Sequence, residues 1–352
     1  MHNGPINIGL DPGFGGAKAA CVGLEGAQVA TVPSVVGVGS TDVGMLSVGN
    51  LGRRSARRAS RQPDQVSFGD VTYLVGENVA RYARPVERMD FLRLSDGPEL
   101  RALFYDVVFR LLGESEHQVN VMAGLPVEVM ADQELARGTL QALRRWLVGE
   151  HTYVVNGCEA KLDIKEVLVM AQPAGTFFAW GLNDEGKWTR PRADLKAQVA
   201  VCDIGFCTLD LFVVEGGEVM GRFTSGDTMG MRRAAELLIN AIRSSYGVGL
   251  SLHEADALLQ QRHPRLYTAE GEQGLRVQVD QALDTTGAAV VSFVERHWGN
   301  GRQFAYLLFT GGGAEALRDT LLRQYPQRVV LPNPVTANAL GLARYAARVF
   351  QG

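Results

Sequence analysis

Short apolar runs bounded by turn residues alternate along the chain with longer segments in which apolar positions recur every three or four residues. The first pattern predicts strands and the second amphipathic helices, so the alternation predicts an α/β fold. Ile6 to Leu10 and Lys18 to Val22 flank a glycine turn, and Gln28 to Pro33 follows as a third strand after Glu25-Gly26. Three strands joined by tight turns make a meander, which excludes the strand, loop and helix of a Walker loop or a dinucleotide fingerprint. Leu100, Leu103, Phe104, Val107, Val108, Leu111 and Leu112 share one helical face and predict a core helix. A strand from Gln118 to Ala123, a turn at Gly124-Leu125-Pro126 and a helix through Leu135, Leu140, Leu143 and Trp146 come next. A hairpin near 151–164 and a strand from Glu166 to Met170 complete the first half.

Residues 183–198 are polar and aperiodic, and a second strand–turn–strand unit, VAVCDIGFCTLDLFVVEGGEVMGRF, begins beyond them. Helices are expected near 229–246, 252–261 and 280–298. The strand Tyr306 to Phe309 then runs through Thr310-Gly311-Gly312-Gly313 into another helix. The closing LPNPVTANALGLARYAARVF reads as a short strand, a Pro-Asn-Pro break and a final helix. The expected organisation is a domain over 1–182, completed by a C-terminal helix over 335–352, and a second domain over 195–334. A surface insertion rich in Gly, Ser and Arg, about 34–75, belongs to the first.

The two strand–turn–strand units repeat each other. Asp11, Gly13 and Phe14 align with Asp203, Gly205 and Phe206 at a constant offset of 192, and Lys18 falls opposite Asp210. Duplication places two equivalent loops on opposite sides of a cleft, although two hairpins with Asp-x-Gly turns can also resemble each other by chance. Glycine turns present runs of backbone N–H to an anion, and Lys18 adds a point charge suited to a phosphate. Asp11 and Asp203, at strand ends, suit the water shell of Mg²⁺, an ion that sheds its waters reluctantly. As turn formers they would instead accept backbone N–H bonds. Thr310 to Gly313 would set amides at a helix N-terminus, facing an anionic or polar ligand.

Composition narrows the classes. With 352 residues, an apolar fraction of 46% and a formal charge of −3, the chain is too long for one ordinary core, and its net charge gives no support to direct nucleic-acid binding. Four cysteines form no CxxC pair, and six histidines show no zinc-ligand spacing, so Cys202 and Cys207 are expected to pack in the core. No signal segment opens the chain and no apolar run approaches the ~20 residues of a membrane span, so a cytoplasmic protein with no membrane partner is expected. The one basic concentration, Arg53, Arg54, Arg57, Arg58 and Arg61, suits a solvated face, phosphates or an acidic partner.

DPGFGGAK, the strand leading to Gln172, CDIGFCTLD, TGGG and NPVTANALGLARYA resemble the phosphate loops, connecting segments and adenosine loop of the actin/Hsp70/hexokinase superfamily. VTYLVGENVARYA, VMAGLPVEV and VMAQPAGTFFA resemble, within it, the plasmid-segregating actins of the ParM/StbA type. The resemblance implies duplicated RNase H-like domains around a nucleotide cleft, ATP or GTP with Mg²⁺ as cofactors, and self-association into filaments with a DNA-binding adaptor. It implies that Asp11, Gly13, Phe14, Gly15, Gly16 and Lys18 form one phosphate loop and Asp203, Gly205, Phe206, Cys207 and Thr208 the other. Gly311, Gly312 and Gly313 would meet the adenosine and Asp11 and Asp203 the metal, with Asp203 and Gln172 beside the reacting phosphate. Arg233 and Glu236 would reach base or ribose, or pair with each other on a helix surface.

At position 172 similar proteins often carry glutamate. An amide orients a water but cannot take up its proton, whereas a kinase needs a carboxylate to deprotonate its acceptor. Gln172 therefore favours slow hydrolysis, unless it only caps the turn before Pro173. Asp210 and Thr208 could assist water or metal. A small-molecule kinase and a non-polymerising ATPase are the competing readings, and no large C-terminal peptide-binding domain is expected.

Overall fold

The computed structural model describes residues 4–23, 26–42, 62–86, 95–326 and 329–350. The first half of the chain builds a sheet from β1 (Ile6–Pro12), β2 (Gly16–Gly23), β3 (Gly26–Pro33), β4 (Val36–Val38), β5 (Asp64–Phe68) and β6 (Val71–Val75). Helix α1 (Pro98–Leu112) precedes β7 (Glu116–Leu125). After α2 (Val127–Ala131) and α3 (Gln133–Leu147) come β8 (Gly149–Val155) and β9 (Cys158–Ala171), which runs into α4 (Gln172–Gly181). The sheet order is β3-β2-β1-β7-β9-β8-β5-β6-β4.

The second sheet begins with β10 (Val199–Ile204), β11 (Leu209–Glu215), β12 (Glu218–Val219) and β13 (Ser225–Asp227). Helices α5 (Arg232–Tyr246) and α6 (Leu252–Leu259), the hairpin β14 (Arg265–Thr268) with β15 (Gly271–Gly274), and α7 (Arg276–Trp298) follow. The chain closes through β16 (Tyr306–Thr310), α8 (Gly312–Ala316), α9 (Arg318–Gln324), β17 (Val329–Val330) and α10 (Ala337–Val349). The order β12-β11-β10-β16-β17 reproduces β3-β2-β1-β7-β9 strand for strand, so both halves share one topology. All six residues of β10 are buried, as a central strand covered on both faces requires.

Three expectations change. The stretch expected as a surface insertion contributes β4 and β5 to the large sheet beside β6, where a strand from Val71 to Gly76 is expected, and its arginine cluster lies outside the described residues. The hairpin near 151–164 and the strand after it share one 14-residue strand, β9, because Ile164 pairs with Val119 and Glu166 with Asn120, leaving Lys165 as a bulge. Helix α7 starts at Arg276, ahead of the expected 280.

The two helices that follow the fifth strands exchange sheets. Ala174, Phe177 and Trp180 of α4 pack with Val199, Val201, Phe212 and Leu308 of the second sheet. On the first sheet, Leu342 and Ala346 of α10 pack with Met122, and Ala339 and Ala343 with Ala20. The helices cross at Gly175 and Gly341. A Cβ on Gly341 would lie 1.7 Å from the Gly175 carbonyl oxygen, so backbone meets backbone with no room for a side chain. The segment joining the halves is held by its own aromatic clamp. The Arg190 guanidinium lies 4.3 Å from the Trp180 ring centroid and 5.3 Å from that of Tyr306, whose hydroxyl donates to Asp194 Oδ1 at 3.2 Å.

Candidate functional site

Each half turns its first two strands at a glycine loop, and the registers agree. Asp11 sits opposite Lys18 across β1 and β2, and Asp203 opposite Asp210 across β10 and β11. The equivalent positions therefore carry an ion pair in one half and two carboxylates in the other.

In the first hairpin the Lys18 ammonium lies 3.3 Å from Asp11 Oδ2. The Gln172 Nε2 amide donates to Asp11 Oδ1 at 2.7 Å, and all three side chains are largely enclosed. The loop is braced from outside by Ser34, whose hydroxyl donates to the Gly13 carbonyl at 2.6 Å and whose N–H donates to the Gly15 carbonyl at 3.2 Å. Phe14 is buried, and Gly15 faces Phe206 of the other loop so closely that a Cβ there would lie 2.9 Å from the phenylalanine Cβ. Gly16 opens β2.

The second loop closes on itself through the Gly205 N–H, which donates to the Thr208 carbonyl at 2.9 Å. It docks on the start of α5, where the N–H groups of Met231 and Arg232 donate to the carbonyls of Gly205 and Phe206. Phe206, Cys207 and Thr208 are buried, and Cys202 and Cys207 lie in the core as expected. Asp203 accepts a hydrogen bond from Asn338 Nδ2 on Oδ2 at 2.6 Å. Burial first, and the Asp11 charge second, push its carboxyl up to about 6 against the pull of Asn338 and Lys18.

Asp210, which the sequence offered as an assistant to water or metal, is buried. It turns to α2 and accepts the Val127 N–H on Oδ1 at 2.9 Å, linking the two halves. Burial and the neighbouring Asp203 charge push its carboxyl well up, only partly opposed by the Val127 amide and the Thr208 hydroxyl.

The third loop divides its glycines between two tasks. Gly311 has φ +85°, and a Cβ on it would lie 2.5 Å from Asp203 Oδ1 and 2.4 Å from the Ile204 carbonyl oxygen. Gly313 packs as tightly on the Ile204 side chain, whereas Gly312 faces open space. Two of the three are thus required by the loop's approach to β10, and Gly312 alone leaves a free surface. Arg233 and Glu236 are exposed on α5, and Glu236 pairs with Arg232 at 2.8 Å, not with Arg233.

Sequence reading missed Asn338, Thr176 and Ser34, which contact the loops from outside their motifs. Only Asn338 left a trace: the QPAG that opens α4 and the NALG in the first turns of α10 share the pattern amide-x-x-Gly, at the two glycines of the helix crossing.

Asp11 and Asp203 fit a divalent cation that keeps its water. Both are buried, the Asp11 charge adds to the cost of ionising Asp203, the Lys18 ammonium is at hand, and a cation between the two carboxylates would relieve that cost. Among the described residues no group of three or more His, Cys, Asp or Glu side chains gathers.

This geometry, two like hairpins on duplicated sheets facing each other across exchanged helices, agrees with comparisons with known proteins. A family model described as actin-like proteins, N-terminal domain, matches residues 9–175, and one described as archaeal actin homologue MreB-like, C-terminal, matches residues 201–323. The chain belongs to the actin-like proteins. Similar solved structures include a non-polymerisable quadruple mutant of pCBH ParM, with TM-score 0.77 and 19% identity over 98% of this chain and 100% of that one. A 15-stranded ParM filament from Clostridium botulinum gives TM-score 0.76 and 18% identity, over 98% of this chain and 99% of that one. The archaeal actin homologue Ta0583 in complex with ADP gives 0.71 and 17%, over 97% and 99%. No curated protein matches the chain in sequence. The mixed α/β two-domain actin-like fold extends over the whole chain, and among the described residues no helix is long and apolar enough to cross a membrane.

Proposed function

We propose that the chain binds ATP with Mg²⁺ between its two hairpins, polymerises head to tail in the bound state, and hydrolyses the nucleotide slowly within the filament. The observation that carries this reading is the matched pair of loops, which brings two buried carboxylates, one ammonium and open backbone at Gly312 together in a family whose members include an ADP complex and a filament. The phosphates would lie along the first loop, Gly13 to Gly16, with Lys18 exchanging part of its contact with Asp11 for them. The second loop, Gly205 to Thr208, would face them from the other side. Asp11 and Asp203 would hold the Mg²⁺, which supplies charge neutralisation on the phosphate oxygens.

Gln172 has a defined polarity. Asp11 is an acceptor, so the amide must present Nε2 to it, which leaves Oε1 as an acceptor able to orient a water for in-line attack. It offers no carboxylate to deprotonate a substrate hydroxyl, and this disfavours a kinase. Gly312, which faces open space, would leave backbone for a purine to pack on, and such a site would admit GTP beside ATP. Heterologous contacts between closed subunits would give an open filament in the cytoplasm, with DNA or plasmid segregation through an adaptor as its role.

The test is light scattering, pelleting and negative-stain electron microscopy with ATP, ADP and no nucleotide. ATP-dependent filaments are expected, and a protein that binds ATP yet stays monomeric at all concentrations and salts sinks the filament reading. Gln172→Ala should slow phosphate release about 100-fold while assembly persists; wild-type hydrolysis in that variant removes the residue from the mechanism.

A further inference from the structure

The two loop aspartates are served by equivalent side chains. Gln172 is the first residue of α4, the helix after the fifth strand of its sheet, and it reaches Asp11. Asn338 is the second residue of α10, the helix after the fifth strand of the other sheet, and it reaches Asp203. Three residues beyond each amide stands a crossing glycine, Gly175 or Gly341. The bodies of the helices pack on opposite sheets, yet each first turn stays with the aspartate of its own repeat.

Asn338 is itself held. Its Nδ2 faces a carboxylate and must donate, so Oδ1 turns to Thr176 and accepts that hydroxyl at 2.7 Å. Thr176 also touches Thr310 Oγ1 at 3.0 Å, and Thr310 donates to the Pro334 carbonyl at 2.7 Å. Thr176 gives its one proton to Asn338 and Thr310 gives its own to Pro334, so the hydrogen-bonded run is Thr176 to Asn338 to Asp203. Asn338 and Thr176 are 5% and 0% exposed, and the run is sealed from water. A buried polar chain is tolerated only where its groups satisfy one another, and a satisfied chain fixes their directions. Its far end is Asp203 Oδ2; among the described residues Oδ1 accepts no hydrogen bond, and it lies beside Gly311.

We infer that Asn338, locked by Thr176, is a positioning residue that captures Asp203 Oδ2 and so aims Oδ1 at the cation of a bound metal–nucleotide. It does for the second aspartate what Gln172 does for the first, without touching the phosphate. This rests on the metal–nucleotide reading of the site.

The measurement is nucleotide affinity by titration calorimetry, with Mg²⁺ and with EDTA, in the full chain. Asn338→Leu removes the amide at similar volume. It should cut the Mg²⁺-dependent gain in affinity about tenfold, the usual cost of losing a group that orients a metal ligand, while metal-free affinity stays within about twofold. Thr176→Val, which keeps shape and loses the hydroxyl, should cut the gain about threefold, and Thr176→Ser should restore it. Thr176→Val and Thr176→Ser also decide the matter if Asn338→Leu fails to fold. A full Mg²⁺ gain in Asn338→Leu or Thr176→Val overturns this inference alone, as does an equal loss with and without metal, which marks a merely structural role. A wild-type protein with no Mg²⁺-dependent affinity overturns the metal–nucleotide reading and this inference together.

Discussion

The hairpins Asp11 to Lys18 and Asp203 to Asp210 share strand order, register and glycine loop, and differ in the sign of the charge opposite the aspartate, one pair away from the turn. In the first, the partner across the strands is a cation lying on the aspartate. In the second it is another carboxylate, turned away to the N–H of Val127 and the other half of the molecule. A duplicated backbone supplies two equivalent positions, and the side chain placed there decides whether the position pairs with the loop aspartate or ties the halves together. The asymmetry also leaves the pocket with a carboxylate pair and one ammonium, a balance a metal–nucleotide can complete.

The comparison breaks most visibly at Asp203. Asp203→Ala should reduce Mg²⁺-dependent nucleotide affinity about 100-fold, ~3 kcal/mol, by calorimetry, with little change in thermal midpoint; affinity within threefold of wild type would remove Asp203 from the metal site. Lys18→Met keeps the stem and deletes the charge. It should weaken nucleotide binding about tenfold both with and without Mg²⁺, a pattern that separates a phosphate contact from a metal contact in the same titration. Asp210→Asn retains an acceptor for Val127 and relieves the repulsion with Asp203. The ligand-free protein should gain about 1 kcal/mol by urea unfolding at neutral pH, and a loss of stability would mean that the Asp210 charge is needed.

The smallest effect lies away from both hairpins and sharpens the comparison as a control. Asp106 on α1 is wholly buried, and Arg110, its neighbour, is shared with Asp64. The guanidinium stands at 3.3 Å from Asp106, too long to offset burial, and the carboxyl is pushed up to about 7. A raised carboxyl binds its proton in the folded state first, so the contribution is complete below the unfolded value near 3.8 and is lost as pH rises through about 7. Urea midpoints at pH 6 and pH 8 should therefore differ more in wild type than in Asp106→Asn, where other raised carboxyls, Asp203 and Asp210 among them, leave a smaller remainder; an unchanged difference assigns the dependence elsewhere.

The repeat was legible because the loops need glycine and aspartate at fixed positions, whatever surrounds them. The offset of 192 that aligns Asp11 with Asp203 could not reveal Asn338, since Gln172 and Asn338 are 166 apart: the chain between hairpin and helix differs in length in the two halves. The bulge at Lys165 placed two exposed residues, Lys165 and Glu166, side by side in β9 and broke the alternation that marks a strand. Strand β4 and helix α2, of three and five residues, are too short to show a period. Asp210 was visible at its position, but its partner, the amide of Val127, lies 83 residues away and has no side-chain signature.

The clamp in the connecting segment carries an experimental convenience. Trp180 belongs to α4, and the ring beside it, Tyr306 at 4.8 Å between centroids, belongs to the second sheet, with the Arg190 charge over its face. An indole placed there is a native fluorophore at the seam, so its emission would register a shift of one half against the other in unlabelled protein, in the same cuvette that follows scattering.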